Sequence, residues 1–492
     1  MTPVTERAVP PARLARMVAL LLIGGTMTVL VRHALHYFFL IDDYALVGEG
    51  LTTPIGSIVS QPLFGFYRPV AFLFVHLETA AYSWGAPWAF ATTSIVLHGV
   101  NAVLVGALTR QVSRDADAAW LATGVFFASP WSAEAFLWAS GRFDLLACLG
   151  VLATLVVACW ARERGGRLAI ALPLTFAFTL ASSGSKEHAV MLPVLIAGLG
   201  VLVRQPPEWR RRLLIVATVS ATAVMAYLVV RQSVLPGLGG AYGRFGDLVS
   251  QTDIARALVA HAHALLWWPL PTRDPLNGFG EAMLVAPALA IGVPALAWYA
   301  RRQAGALLTS ALLVAVTLAP VLWAPPSGRF LYLPGVWLAL GAGVAAATWL
   351  RPTMASTDWV SSVARFIVPF FLIGYALASL HTQAGWWERA SSIARSGIAS
   401  FAPWIDRDVA AVHIENLPFR CVEGPVVLTS YAFAHYYRGH QVPSIRATAH
   451  MVQCDGRQVE WLTSFPDPLT FQQQPQPGEQ IVRLDFGERS AR

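Results

Sequence analysis

About eleven apolar runs, most of about 17 to 25 residues, recur along this chain of 492 residues, and runs of that length dictate the solvent it folds in. They fall at about 17–40, 88–109, 118–138, 143–161, 168–183, 187–203, 212–230, 281–299, 304–323, 331–349 and 365–381. An α-helix rises ~1.5 Å per residue, so about 20 apolar residues cross the ~30 Å hydrocarbon layer of a bilayer. Hydrocarbon offers the backbone no hydrogen-bond partner, and the runs do not alternate as the ten-residue strands of a barrel would. The expectation is therefore an all-α polytopic membrane protein, and a transmembrane β-barrel is excluded. Composition agrees: 55% hydrophobic and 13% charged residues, with a mean hydropathy of +0.53, exceed what a water-soluble core can hide. The first run follows Arg7, Arg13 and Arg16, is too long for a signal-peptide core and lacks a small-residue cleavage site. It reads as an uncleaved helix.

Charge orients the spans. A net +7, from 35 Lys+Arg against 28 Asp+Glu, is a modest excess concentrated in short loops, which is a membrane-orientation pattern and points to no nucleic acid. Alternate loops carry Arg110 and Arg114; Arg162, Arg164 and Arg167; Arg204, Arg210, Arg211 and Arg212; Arg301 and Arg302; and Arg351. These loops are assigned to the cytoplasm, and an odd number of spans then leaves the C-terminal segment on the extracytoplasmic, periplasmic side of an inner membrane. Residues 1–399 form the membrane domain. Residues 400–492, richer in charge, Gln, Pro and Gly, read as a small soluble α/β or mainly β domain, with β-prone pieces at 424–431 and 480–486. Amphipathic stretches at about 68–84 and 253–268 are expected to lie along the interface. Cys148 and Cys159 read as small core residues; a disulfide between Cys421 and Cys454 stays open.

The chemistry-bearing residues gather at the outer ends of these spans. Asp42, Asp43 and Tyr44 follow the first span directly; like charges side by side raise one another's pKa, leaving one carboxylate usable as a base. The same loop continues through Tyr67 and Arg68. The junction at 132–144 carries Glu134, Arg142 and Asp144, carboxylates that need a partner or a wet cavity so close to hydrocarbon. Ser185, Lys186, Glu187 and His188 follow the fifth span, and a lysine on the outer side breaks the positive-inside pattern, as do Arg231, Arg244, Arg273 and Arg329. Cations misplaced for insertion have a use if the client is anionic. Acids together with cations at one membrane face suit a lipid-phosphate reactant and a hydroxyl that must lose its proton. Phosphate-binding loops of nucleotide enzymes, dinucleotide fingerprints, zinc-protease and CxxC motifs are absent from the sequence. No cofactor is indicated; the scattered histidines show no metal-ligand spacing, and a divalent metal is left open.

The ordered set DDY (42–44), FYRPV (66–70), SIVLHGVNAVLV (94–105), AEAFLWASGRFDLLA (133–147), SKEHAVMLPV (185–194) and GRFLYLPG (328–335) resembles the GT-C class of polyprenyl-phosphate-sugar glycosyltransferases. It is most similar to the membrane region of the tetratricopeptide-containing transmembrane protein O-mannosyltransferases and their bacterial relatives, over about residues 15–350. The resemblance implies an inverting transfer of a sugar from a polyprenyl-phosphate donor to a hydroxyl on a protein, lipid or polysaccharide acceptor. It places Asp42 and Asp43 at the catalytic centre. On this reading Lys186, Arg329, Arg68 and Arg231 hold the donor phosphate. Tyr44, Tyr67, Glu134, Arg142, Asp144, Glu187, His188 and Tyr332 shape the substrate pocket. The tail carries no tetratricopeptide repeats, which leaves the acceptor open. The alternative is a transporter or flippase for lipid-linked sugars, whose polar residues would be spread through the midplane and whose halves would repeat.

Overall fold

A computed structural model describes residues 11–161, 167–202, 207–235, 304–322, 327–351, 359–409, 411–421, 426–452, 459–461 and 481–485, with positions 254, 258, 259, 261, 264 and 265. The described residues open with α1 (Pro11–His36), cross the link 37–40, and continue through α2 (Asp42–Thr52), α3 (Ile55–Ser60) and α4 (Pro69–Tyr82). Next come α5 (Pro87–Ser113), α6 (Ala116–Phe127), α7 (Ala133–Leu137), α8 (Arg142–Ala161), α9 (Leu168–Ser183), α10 (Leu192–Leu202) and α11 (Pro207–Val234). Then follow α12 (Ala304–Leu318), α13 (Tyr332–Leu350) and the 43-residue α14 (Trp359–Phe401).

The helix starts are written in the sequence. Pro69, Pro87 and Pro207 open α4, α5 and α11, at positions where the missing N–H costs nothing. Asp115 caps α6 by accepting hydrogen bonds from the N–H groups of Asp117 and Ala118.

The protein is mostly helical and multi-pass. Among the described residues five segments are long and apolar enough to cross a membrane: Leu14–His36, Pro87–Ser113, Ala139–Ala161, Pro207–Val234 and Gly328–Leu350. Shorter apolar helices lie at Ala116–Phe127, Leu168–Ser183, Glu187–Leu199 and Leu307–Val321. Leu20, Leu35, Val103, Val229, Leu308 and Phe370 are all exposed on the helices. Large apolar side chains facing outward in such numbers are at home in lipid. The expected run at 281–299 lies outside the described residues, as do 266–280 and the cations Arg244 and Arg273.

Several runs differ in detail from the expectation, and 187–203, for one, opens with a 3-10 turn over Glu187–Met191. The stretch 118–138 is not one helix: α6 stops at Phe127, a 3-10 turn spans Pro130–Ser132, and α7 takes over at Ala133. Pro130 is the reason, since it cannot donate to a helical carbonyl and drives Ser129 out of helical backbone (φ −53°, ψ 96°). The stretch 365–381 belongs to α14, which runs on to Phe401 and packs along α1.

The bundle has two chemically different ends. At one end Arg351 pairs with Asp115 (2.5 Å), Arg114 stacks on Trp209 and Arg212 donates to the Ala161 carbonyl (3.3 Å). The opposite ends of the same helices carry Phe90, Arg142, Asp144, Arg329 and Tyr332.

Beyond α14 the described residues form a four-stranded sheet in the order β3-β2-β1-β4, with β1 (Ala411–Cys421), β2 (Ser444–Val452), β3 (Val459–Trp461) and β4 (Ile481–Asp485). β1 is parallel to β2 and to β4, and parallel neighbours need a crossover. Part of that crossover is α15 (Ser430–Tyr436), so the described part of the piece expected as strand at 424–431, residues 426–431, carries a single bridge residue and the start of a helix, whereas 480–486 holds β4. Phe433 of α15 packs at a tilt on Phe401, joining the sheet's buried Val412, Ile414 and Leu417 to the end of α14. Cys454 lies outside the described residues.

Candidate functional site

The acid pair opens α2, where the exposed N–H groups favour negative charge. Its two members have different surroundings, because consecutive residues on a helix point about 100° apart. Asp43 is buried and turned into the protein. Its Oδ2 accepts from the Tyr37 hydroxyl (2.5 Å) and the Leu40 N–H (3.0 Å); its Oδ1 accepts from the Ser140 N–H (2.9 Å) and the Ser140 hydroxyl (2.5 Å). Burial raises this carboxyl to about 6, against the lowering effect of the bonds from Ser140, Tyr37 and Leu40. Those bonds also hold Ile41 at φ 31°, a costly backbone for a β-branched residue. Asp42, half-buried, instead lines a cavity of about 590 Å³.

Ser140 reaches Asp43 because the 3-10 turn Ala139–Gly141 folds tightly back on α7. A Cβ on Gly141 would sit 2.2 Å from the Ala135 carbonyl oxygen, so only glycine fits. The motif Ala139-Ser140-Gly141-Arg142 is thus a brace: serine for the acid, glycine for the turn, and arginine for the walls behind. Arg142 ion-pairs with Glu78 of α4 (2.8 Å), donates to the Phe90 carbonyl and reaches the Ser94 hydroxyl (3.4 Å).

Among the described residues three cations line the cavity, each with a carboxylate partner. Lys186 donates to both oxygens of Asp144 (2.5 and 2.6 Å), deep at the start of α8. Burial pulls its amine down to about 8, with Arg329 and Arg68 adding to the shift and Asp144 opposing it. Arg68 donates bidentately to Glu187 (3.0 and 2.7 Å to Oε2) and stacks on Phe66, 4.0 Å from the ring centre. Arg329 is the loosest: its Nε lies 3.8 Å from Glu134, whose oxygens accept from the Ser327 hydroxyl (2.7 and 2.8 Å) and the Arg329 N–H (3.3 Å). A loosely paired, partly exposed guanidinium beside two better-paired cations gives an anion somewhere to enter at low cost.

The cavity therefore collects Asp42, Arg68, Asp144, Lys186 and Arg329 from the sequence reading, with Asp43 directly behind through Ser140. The other candidates stand apart from its lining. Tyr332 is fully buried among the helices and bonds His98 (2.8 Å) and Asn101 (3.2 Å). Tyr67 is buried; its hydroxyl donates to the Val59 carbonyl (2.9 Å), and the Tyr67 carbonyl accepts from the Tyr227 hydroxyl (2.9 Å). Arg231 is buried on α11, and His188 is buried behind Lys186 with neither ring nitrogen in a hydrogen bond. Tyr44 packs against Trp84 and Tyr436. Arg142, Glu134 and Glu187 act on neighbouring residues, as described.

Two features of the lining escape sequence reasoning. Phe64, Phe66, Phe72, Phe143 and Phe330 give it a largely aromatic surface, which no spacing announces because they come from four separate segments. His435 comes from α15, in the tail. Among the described residues no group of three His, Cys, Asp or Glu side chains is placed to hold a metal ion. No protein-family model and no curated protein matches the chain.

Proposed function

We propose that the protein is a membrane glycosyltransferase of the GT-C kind, moving a sugar from a polyprenyl-phosphate donor to a hydroxyl acceptor with inversion. The observation that supports this most is the meeting of Asp42, three cations and five phenylalanines in one cavity at the end of the bundle opposite the arginine-rich turns. A phosphate-linked sugar already has a good leaving group, so the reaction asks for a base at the acceptor and positive charge at the departing phosphate, and for no general acid. Asp42 takes the proton from the acceptor hydroxyl; the oxygen attacks the anomeric carbon; the bond to the phosphate oxygen breaks, and Arg68, Lys186 and Arg329 hold the charge left on the lipid phosphate. Asp43 is assigned a supporting role, because four donors already occupy its oxygens. The phenylalanines suit the first isoprene units. The reading carries with it eleven spans in an inner membrane, with the cavity and residues 400–492 on the periplasmic side.

The test is reconstitution of the purified chain in liposomes holding a polyprenyl-phosphate hexose with a radiolabelled sugar. Release of polyprenyl phosphate and movement of label to water or an acceptor supports the enzyme. Movement of intact donor between leaflets without release supports the transporter instead.

A further inference from the structure

His435 enters the cavity from outside the membrane helices, and several contacts fix it there. Arg438, three residues on, donates to Glu49 (3.0 Å) and to the Gly48 carbonyl (3.2 Å) on α2. Tyr436 packs on Tyr44, Trp84 and Phe38. The imidazole lies against α2 so closely that a Cβ on Gly48 would come within 2.8 Å of Nδ1 and 3.3 Å of the histidine Cβ. One helix thus presents Asp42, Ala45 and Leu46 to the cavity from its first turns and seats α15 with its next.

We propose that His435 is a substrate-contacting residue, through which the C-terminal domain recognises a sugar or acceptor hydroxyl in the cavity; this rests on the glycosyltransferase reading. Three arguments converge. The lipid phosphate already has Arg68, Lys186 and Arg329, on elements other than α2 and α15. A half-buried imidazole, whose pKa burial lowers, carries no charge at pH 7, and an uncharged ring suits a hydroxyl better than a phosphate. Its neighbours Glu49 and Arg438 are engaged with each other and leave that neutral state in place. The hydroxyl belongs either to the sugar being transferred or to the acceptor, and both occupy the side of the reacting bond where Asp42 sits.

The experiment uses the full chain in nanodiscs, as wild type, His435→Ala, His435→Gln and Gly48→Ala, the last displacing the ring without deleting it. Affinity is measured for undecaprenyl phosphate and for undecaprenyl-phosphate mannose, and the KM and kcat of mannose release are measured with glycerol as the hydroxyl probe. If His435 contacts the donor sugar, His435→Ala and Gly48→Ala weaken the mannosylated lipid roughly fivefold, the worth of one net hydrogen bond, and leave the bare lipid within twofold. If it contacts the acceptor, both lipids bind as in wild type, KM for glycerol rises roughly fivefold, and His435→Gln restores part of it. Equal weakening of both lipids, or no change in any measurement, overturns the proposal. Wild-type protein that binds neither lipid overturns the glycosyltransferase reading itself, and this inference with it.

Discussion

Ser140 holds Asp43 twice, with its backbone N–H at 2.9 Å and its hydroxyl at 2.5 Å, both on the same carboxylate oxygen. This pair of hydrogen bonds ties the first turn of α2 to the turn before α8 and leaves the neighbouring Asp42 facing the cavity. Replacing Ser140 by alanine keeps the backbone donor and removes the hydroxyl. The expected loss is about 1.5–3 kcal/mol, the range for a hydrogen bond to a charged group, read as a lowered thermal midpoint in detergent. Tyr37→Phe should cost a similar amount.

The same carboxyl gives a pH signature. Its folded value, about 6, lies above its ordinary 3.8, so between about pH 4 and pH 6 the folded protein holds a proton that the unfolded chain has lost. This contribution to stability is complete below about pH 4 and disappears as pH rises through 6. The difference in thermal midpoint between wild type and Asp43→Asn should therefore shift in favour of wild type as pH falls from about 7 to about 4.5. An unchanged difference would show that Asp43 does not titrate there.

Lys186 and Asp144 form a buried pair, and breaking it from one side leaves a charge without compensation. Asp144→Asn is expected to cost about 3–5 kcal/mol. The double variant Asp144→Asn with Lys186→Met should recover most of that stability and still bind polyprenyl phosphate poorly, separating packing from phosphate binding. Because the Lys186 amine sits near 8, wild-type affinity for polyprenyl phosphate should fall as pH rises through that value. Lys186→Arg should bind across the same range without the fall, since guanidinium keeps its proton.

Glu134 gives a prediction of opposite sign to simple charge counting. Removing an anion beside Arg329 would on charge alone strengthen lipid-phosphate binding. Glu134, however, accepts from Ser327 and from the Arg329 backbone, and so fixes the turn that carries the guanidinium. Glu134→Ala should weaken polyprenyl phosphate roughly three- to tenfold in a binding titration, the worth of about one to two hydrogen bonds.

What the sequence makes legible follows from which forces are local. Run length measures the bilayer, so the helices at 88–109, 143–161, 212–230 and 331–349 could be read directly, and charge marked which polar residues were out of place. Partner choice was not legible, because it depends on where side chains point. Arg142 and Asp144 are two apart on one helix and face away from each other, one to Glu78 and one to Lys186. Asp42 and Asp43 diverge for the same reason, so the pair acts as two residues with separate jobs. Pro130 was visible, yet the apolar run around it outweighed its breaking effect. His435 carries no signal at all: nothing periodic links a histidine in the tail to an acid in the first loop.

If Asp42 is the base of a lipid-phosphate glycosyl transfer, removing its charge must slow release of the lipid phosphate without loosening the lipid. Wild type and Asp42→Asn are assayed side by side for release of polyprenyl phosphate from a polyprenyl-phosphate hexose, with affinity for the lipid measured on the same samples. Asp42→Asn should lose at least about 100-fold in release, the lower range for a general base, at unchanged lipid affinity. Release by Asp42→Asn at the wild-type rate would rule Asp42 out as the base.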